Sequence, residues 1–529
     1  MKNVGLLWQT VRHLTLRQIV YQILFRLRRR PKLRLTKTSS QGHFLTSSPA
    51  DKPISWQNDV FTFLNQSVQF ATDVDWNYDR FGKLWTYNLN YFDFLNQPAL
   101  ELEVGLALIH QFIAQTESLR DGLESYPTSL RIINWIQFLS RHRVRDAVIE
   151  RHLVAQAHLL RRRLEYHLAG NHLLENAFAL LVGAVYFRQA HWFNKADRLL
   201  RQQLASQILA DGGHDERSPM YHQLLLDKLL DCLLILQSES WQKDSGLILF
   251  LTDKATQMLG WLNAISFRNG DVPMVNDATW GIAPTTAKLR QKARAVLTQQ
   301  PPDSVRLQES GYRMVRQERY ELLADVGPIG PDHQPGHAHA DTLSFVLYVD
   351  NYPVIVDNCV STYQVGARRA WERSTAAHNT VTLHNANSSE VWANFRVGRR
   401  AKATVLMDSQ HQLTARHDGY RQWGVIHERS WFVELDRLRI TDRLLPTQAK
   451  LKTTPSGIAR FYFHPTVPVE IVGDSVRAGS LKMSFHSETK PVFCVISSTM
   501  AEGFNSLRAS QCLVVTFTSS LETTLLFLE

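Results

Sequence analysis

The chain has 529 residues, 44% of them hydrophobic and 10% aromatic, and a formal net charge of +10. This length suits two or three domains better than one, and the composition is that of a globular chain with large cores, not of a disordered or collagenous one. The four cysteines are scattered and form no C-x-x-C pair, so neither a disulfide framework nor a thiolate metal site is suggested, and charge interrupts every apolar stretch before the roughly 18 residues a bilayer crossing needs.

The basic balance is local. Residues 1–50 hold ten Lys or Arg and no Asp or Glu, so the remainder carries equal numbers of each sign. Within Met1–Leu35, Leu6, Leu7, Val11, Leu14, Ile19, Val20, Ile23 and Leu24 recur at helical spacing, and the segment ends in Arg26, Arg28, Arg29, Arg30, Lys32 and Arg34. Arg12 and Arg17 break any signal-peptide core, and no small-residue cleavage site follows. The segment reads either as a basic amphipathic helix on an anionic membrane surface or as a helix docked on the body with a solvated basic face. No recognised nucleic-acid-binding fold accompanies the charge, so a nucleic-acid partner is not expected. Thr36–Pro53 is rich in Ser and Thr and reads as a linker.

Residues 54–303 are expected to be mostly helical, with helices over Leu100–Thr116, Ser129–Ser140, Asp146–Tyr166, Leu173–Gln189, Lys195–Ile208, Tyr221–Leu236, Gly246–Phe267 and Thr286–Gln299. Polar, aromatic loops over Trp85–Asp93, Tyr126–Thr128, Gly170–His172, Asp211–Tyr221 and Asn269–Trp280 would line one end. From about residue 304 to Glu529 the pattern turns to short alternating strands, the signature of a β-sandwich.

The chemistry concentrates in three stretches. Asn171 and His172 stand at a helix start, where free N–H groups favour anions, although an N-cap Asn is common. Tyr221 ends DGGHDERSPMY at a loop-to-helix step. Gly336–Val381 holds His337, His339, Asp357 and His378 among β-branched residues. On a strand His337 and His339 would share a face, and His339, Asp357 and His378 would offer two nitrogens and one oxygen, a donor set suited to zinc. Three polar residues at unrelated strand ends is the plainer reading.

Taken in order, NHLLENA, DGGHDERSPMYH and GHAHADTLSF…VDNCVSTY…AHNTV resemble the heparinase II/III family of polysaccharide lyases, with WTYNLNYFDFL and YPTSLRIINW as further blocks. The resemblance covers roughly residues 75–400. It implies a multidomain α+β fold, an incomplete (α/α) toroid followed by an antiparallel β-sandwich. It implies β-elimination on a uronic-acid polysaccharide. Asn171 and His172 would neutralise the uronate carboxylate, Tyr221 would be the general acid, and His337 the base or the neighbour that lowers the phenol pKa. Glu175 would orient His172 across one helical turn, and Tyr363 would be a second aromatic acid. His339, Asp357 and His378 would bind a structural Zn²⁺. Trp85, Tyr87, Asn88, Tyr91, Arg131 and Arg373 would contact substrate.

Two other functions stay open: a glycoside hydrolase, for which Asp215, Glu216 and Asp277 are available but form no clear pair, and a non-catalytic polysaccharide-binding or assembly protein. The absence of a signal peptide together with the basic segment gives a cytoplasmic or inner-membrane-face location as the expectation, with a periplasmic one as the alternative. The particular uronate and the oligomeric state are left open.

Overall fold

The computed structural model describes residues 2–35, 41–47, 49, 51–447 and 454–528. The expected linker therefore lies partly outside the described residues, at 36–40, 48 and 50. The expected single N-terminal helix is two: α1 (Lys2–Val11) and α2 (Leu16–Leu27). Thr15 forces the break, because its side chain accepts from Gln18 N while Gln18 reaches back to the Thr15 backbone, a capping box that starts a new helix.

A three-stranded meander over residues 56–69 follows, in a region read from sequence as helical. Nine helices then form the toroid: α3 (Lys83–Tyr91), α4 (Leu102–Ala114), α5 (Ser125–His142), α6 (Ala147–Arg162), α7 (Gly170–Phe187), α8 (Ala190–Gln207), α9 (Pro219–Ser238), α10 (Ser245–Ile265) and α11 (Thr286–Val296). Their starts follow from local chemistry. Asp146 caps α6 by accepting from Val148 N and Ile149 N, and Ser218 caps α9 ahead of Pro219 in its first turn. From Leu173 to Phe187, α7 is buried on every side, as an apolar helix packed against α5, α8 and α9 must be. No helix among the described residues is long and apolar enough to cross a membrane.

From Tyr312 onward the chain forms two antiparallel eight-stranded sheets facing each other across one core that includes Leu347, Trp431, Ile440, Phe461 and Leu525. Helical and sheet parts meet in a shared apolar cluster of Trp261, Ile265 and Phe267 with Tyr312, Leu323, Val346 and Tyr348. Phe267 stacks on Tyr348 with ring centroids 3.8 Å apart. The loop before α9 is tied to the same border: Arg217 Nε donates to Ser310 O at 3.0 Å, and the Tyr312 hydroxyl donates to Arg217 O at 2.6 Å. This lock sets where Tyr221 stands relative to the strand half.

Candidate active site

The site forms where α7, α9 and two loops converge. The N-terminus of α7 presents Asn171 and His172, both half-buried. The chain enters through Gly170 at φ +54, a left-handed conformation that favours glycine, with Glu216 Oε1 close beside it. Glu216 Oε1 accepts from Asn171 N at 3.1 Å, and its Oε2 lies 3.5 Å from His337 Nε2. Glu216 thus stands between the helix mouth and the imidazole brought by the strand half.

His337 and His339 lie in the loop before the strand Phe345–Val349, not on a strand as expected. They still converge, because both reach Asp277. His337 Nδ1 is 2.8 Å from Asp277 Oδ2 and His339 Nε2 is 2.9 Å from Oδ1. Arg369 donates to both oxygens through its two terminal nitrogens, at 2.7 Å for Oδ2. Burial opposes the Asp277 charge, but the guanidinium and the two histidines hold its carboxyl well below the usual range. An ionised carboxylate only accepts, so His337 carries its proton on Nδ1 when neutral and turns a free Nε2 towards Glu216 and the cleft.

Tyr221, in the first turn of α9, lies against this imidazole with ring centroids 4.0 Å apart, and its hydroxyl is 3.1 Å from the Tyr363 hydroxyl. Burial and the Asp277 charge push the Tyr221 pKa up, and burial does the same to Tyr363. Both phenols therefore keep their protons at neutral pH, so neither is a phenolate base. His172 lies 3.3 Å from Glu165 Oε1, and its ring is 4.6 Å from Tyr126. Burial would lower the His172 pKa, but the charge and hydrogen bond of Glu165 raise it overall. An imidazole whose hold on a proton Glu165 strengthens thus stands next to Asn171.

Several expected residues do other work. The carboxylate on His172 is Glu165, held by Asn176 Nδ2 at 3.0 Å. Glu175 is buried, with one oxygen unpartnered. Arg131 is wholly buried and satisfied by Gln156, Thr128 and the Asn90 and Gly122 carbonyls, so it holds the toroid instead of binding substrate. Arg373 is likewise buried, clipping the Ala338, Trp392, Ala393 and Arg396 carbonyls. Trp85 is fully buried, its indole N–H on Gln66 O. These groups are spent on protein. Tyr87 is half-buried on the cleft wall with its hydroxyl on Glu124. Tyr91 lies beneath it, and the Asn88 side chain bonds Leu84 O.

The expected zinc ligands form two histidine–carboxylate pairs in place of one three-ligand cluster. His378 Nδ1 is 2.7 Å from Asp357 Oδ2, while His339 is taken by Asp277. Among the described residues no three His, Cys, Asp or Glu are gathered to grip an ion. The donor chemistry is nonetheless there: the two rings lie 5.2 Å apart, and His339 Nδ1 and His378 Nε2 are buried with no hydrogen-bond partner. Glu165 and Arg369 were not singled out in sequence, and Asp277 and Glu216 were considered there only as acids for a hydrolase. Glu216 stood inside a quoted motif, whereas Arg369, in a short helix over Ala367–Glu372, had no local signal.

Comparison with known proteins bears on family and fold. Residues 125–303 match the heparinase II/III N-terminus and residues 299–523 the heparinase II/III-like C-terminal region. A heparinase III crystal structure shares the fold with a TM-score of 0.68 at 15% identity, covering 88% of this chain and 80% of that one. A mutant of heparan sulfate lyase HepC from Pedobacter heparinus gives 0.60 at 15% identity, covering 96% and 87%. FtsZ-localized protein C of Caulobacter vibrioides is 26% identical over 304 residues, so the match spans about half of each chain (52% and 50%). With the two family matches running together from residue 125 to 523, the chain belongs to the heparinase II/III-like family and has its toroid-and-sandwich fold.

Proposed function

We propose that the chain is a polysaccharide lyase that cleaves a uronic-acid-containing acidic polysaccharide by β-elimination. Asn171 and His172 bind the uronate carboxylate and stabilise the enolate that forms when C5 loses its proton. His337 Nε2, its other nitrogen fixed by Asp277, takes that proton. Tyr221 gives its phenolic proton to the C4 oxygen as the C4–O bond breaks, leaving a C4=C5 double bond conjugated to the carboxylate. Positioned acid–base groups of this kind contribute about 10²–10⁴-fold each. The observation that carries the reading is the Tyr221 ring lying 4.0 Å from the His337 imidazole, whose Nδ1 is held by the buried Asp277 carboxylate.

A glycoside hydrolase is less well supported, since both Asp277 oxygens are occupied by Arg369, His337 and His339 and leave it no free oxygen for acid or base work. A non-catalytic role, as the name of the Caulobacter relative would allow, leaves the Tyr221–His337–Asp277 array unexplained. A panel of acidic polysaccharides tests the proposal. New ultraviolet absorbance on digestion supports elimination, and new reducing ends without absorbance would point to hydrolysis.

Two lesser proposals accompany it. His339, Asp357 and His378 would hold a structural zinc ion that ties the histidine loop to the sandwich, with no catalytic step passing through it; the unpartnered ring nitrogens support this. The exposed stripe Leu16, Val20, Ile23, Leu24 and Leu27 on α2 supports peripheral contact with an anionic membrane, at its inner face in the cell. Vesicle flotation that is unchanged when Leu16 and Leu27 become Gln would remove the membrane idea.

A further inference from the structure

A cavity of about 770 Å³ opens between the end of α2 and the toroid mouth, and its inner wall includes His172 and Tyr87. Its outer wall is cationic: Arg26, Arg28, Arg29 and Arg30 from the N-terminal segment face Arg120 and Arg163. The toroid acids on the wall already have partners. Lys83 is 2.9 Å from Glu124 and 3.5 Å from Asp121, and Glu165 is engaged by His172 and Asn176. Arg26, Arg28, Arg29 and Arg30 have no carboxylate within ion-pair distance among the described residues.

The segment is fastened where it must be to serve this cavity. Gln18 Nε2 donates to His333 O at 3.0 Å and Gln22 Nε2 to His167 O at 3.2 Å. Phe25 stacks on His167 at 4.1 Å, the Arg17 guanidinium sits 3.9 Å over the Tyr166 ring, and Arg163 donates to Arg29 O at 2.6 Å. The arginine run is thereby turned along the toroid mouth, while the apolar stripe of α2 is exposed to solvent.

We propose that this cavity is an anion subsite of the cleft, in which the N-terminal arginines bind the carboxylates or sulfates of sugars flanking the cleaved unit. The assignment rests on the lyase reading for the sugar class and extends it, because these arginines precede the region shared with the family, residues 125–523. The N-terminal segment then acts as a wall of the substrate cleft. Guanidinium groups suit this work, since their planar fork matches carboxylate and sulfate oxygens.

The test uses the full chain and fluorescently labelled octasaccharides from heparan sulfate, alginate and polygalacturonate, with binding read by anisotropy across a salt series. The variant R26Q/R28Q/R30Q is expected to bind the preferred octasaccharide roughly tenfold more weakly, with a flatter salt dependence. The matching Arg→Lys triple variant, which keeps the charge, should recover most of the affinity; this separates charge from misfolding. Equal binding by wild type and the Gln variant, or no binding of any octasaccharide by wild type, would overturn the subsite. So would loss of binding to phosphatidylglycerol vesicles with octasaccharide binding intact, which assigns the arginines to a bilayer. Arginine-dependent binding without ultraviolet-absorbing product keeps the subsite and removes the lyase reading instead.

Discussion

Asp277→Asn is the substitution that most directly tests the electrostatic design. The Asp277 carboxylate is fully buried and bonded by Arg369 twice, by His337 and by His339. Arg369 is 1% exposed, so removing the carboxylate charge strands a guanidinium in the interior. Breaking such a pair from one side costs about 3–5 kcal/mol, to be read as a lower urea midpoint at the domain border. The effect on chemistry is separate. An Asn amide can donate to His337 Nδ1, which moves the ring proton to Nε2 and removes the lone pair from the cleft. The predicted loss in kcat is about 10²–10⁴-fold with little change in KM. Asp442→Asn is the control: it breaks an equally buried pair, with Arg429 and His427 in the sandwich, and touches no group at the reacting atoms. A folded Asp277→Asn enzyme with wild-type kcat would refute the tautomer argument, and equal kcat losses in the two variants would reduce it to stability alone.

Other outcomes follow from the same physics. Glu165→Gln removes the charge that raises the His172 pKa, so that pKa falls and protonated His172 is lost at lower pH; the alkaline limb of kcat/KM should move towards acid, and an unmoved limb would release His172 from its role. In the sandwich, burial opposes the Asp442 charge, but Arg429 and His427 hold its pKa at about 2, against 3.8 for the free group. A depressed carboxyl stabilises the fold above its unfolded pKa and loses that as pH falls, so about 2 kcal/mol should disappear between pH 4 and 2. The stability gap between wild type and Asp442→Asn should shrink over that window, and a constant gap would contradict it. Elemental analysis should find zinc in the purified protein, and chelation should lower the unfolding temperature; metal-free protein of unchanged stability would dispose of the ion.

The long helices were legible because apolar residues at a 3.6 period with clear caps leave few alternatives. The helix Lys83–Tyr91 was not, since Asn, Thr and Tyr dilute the apolar repeat of KLWTYNLNY and make it resemble a polar loop. The meander at 56–69 was hidden because four-residue strands are too short to show alternation. Motif order brought Asn171, His172, Tyr221 and His337 together before any coordinates. It could not say which carboxylate serves which histidine, because Asp277 and Glu165 reach their partners through the fold and not through spacing. Arg131 and Arg373 show the same limit. A guanidinium satisfied by backbone carbonyls looks in sequence like one waiting for a substrate.

The central claim is that Tyr221 delivers the proton in an elimination. It is tested most directly by following ultraviolet absorbance when wild type and Tyr221→Phe act on the acidic polysaccharide that wild type binds best. Wild type should generate the unsaturated uronate chromophore, and Tyr221→Phe should lose about 10²–10⁴-fold in rate while binding the chain as tightly. Bond cleavage by wild type with no chromophore, or an undiminished rate in Tyr221→Phe, would contradict the account.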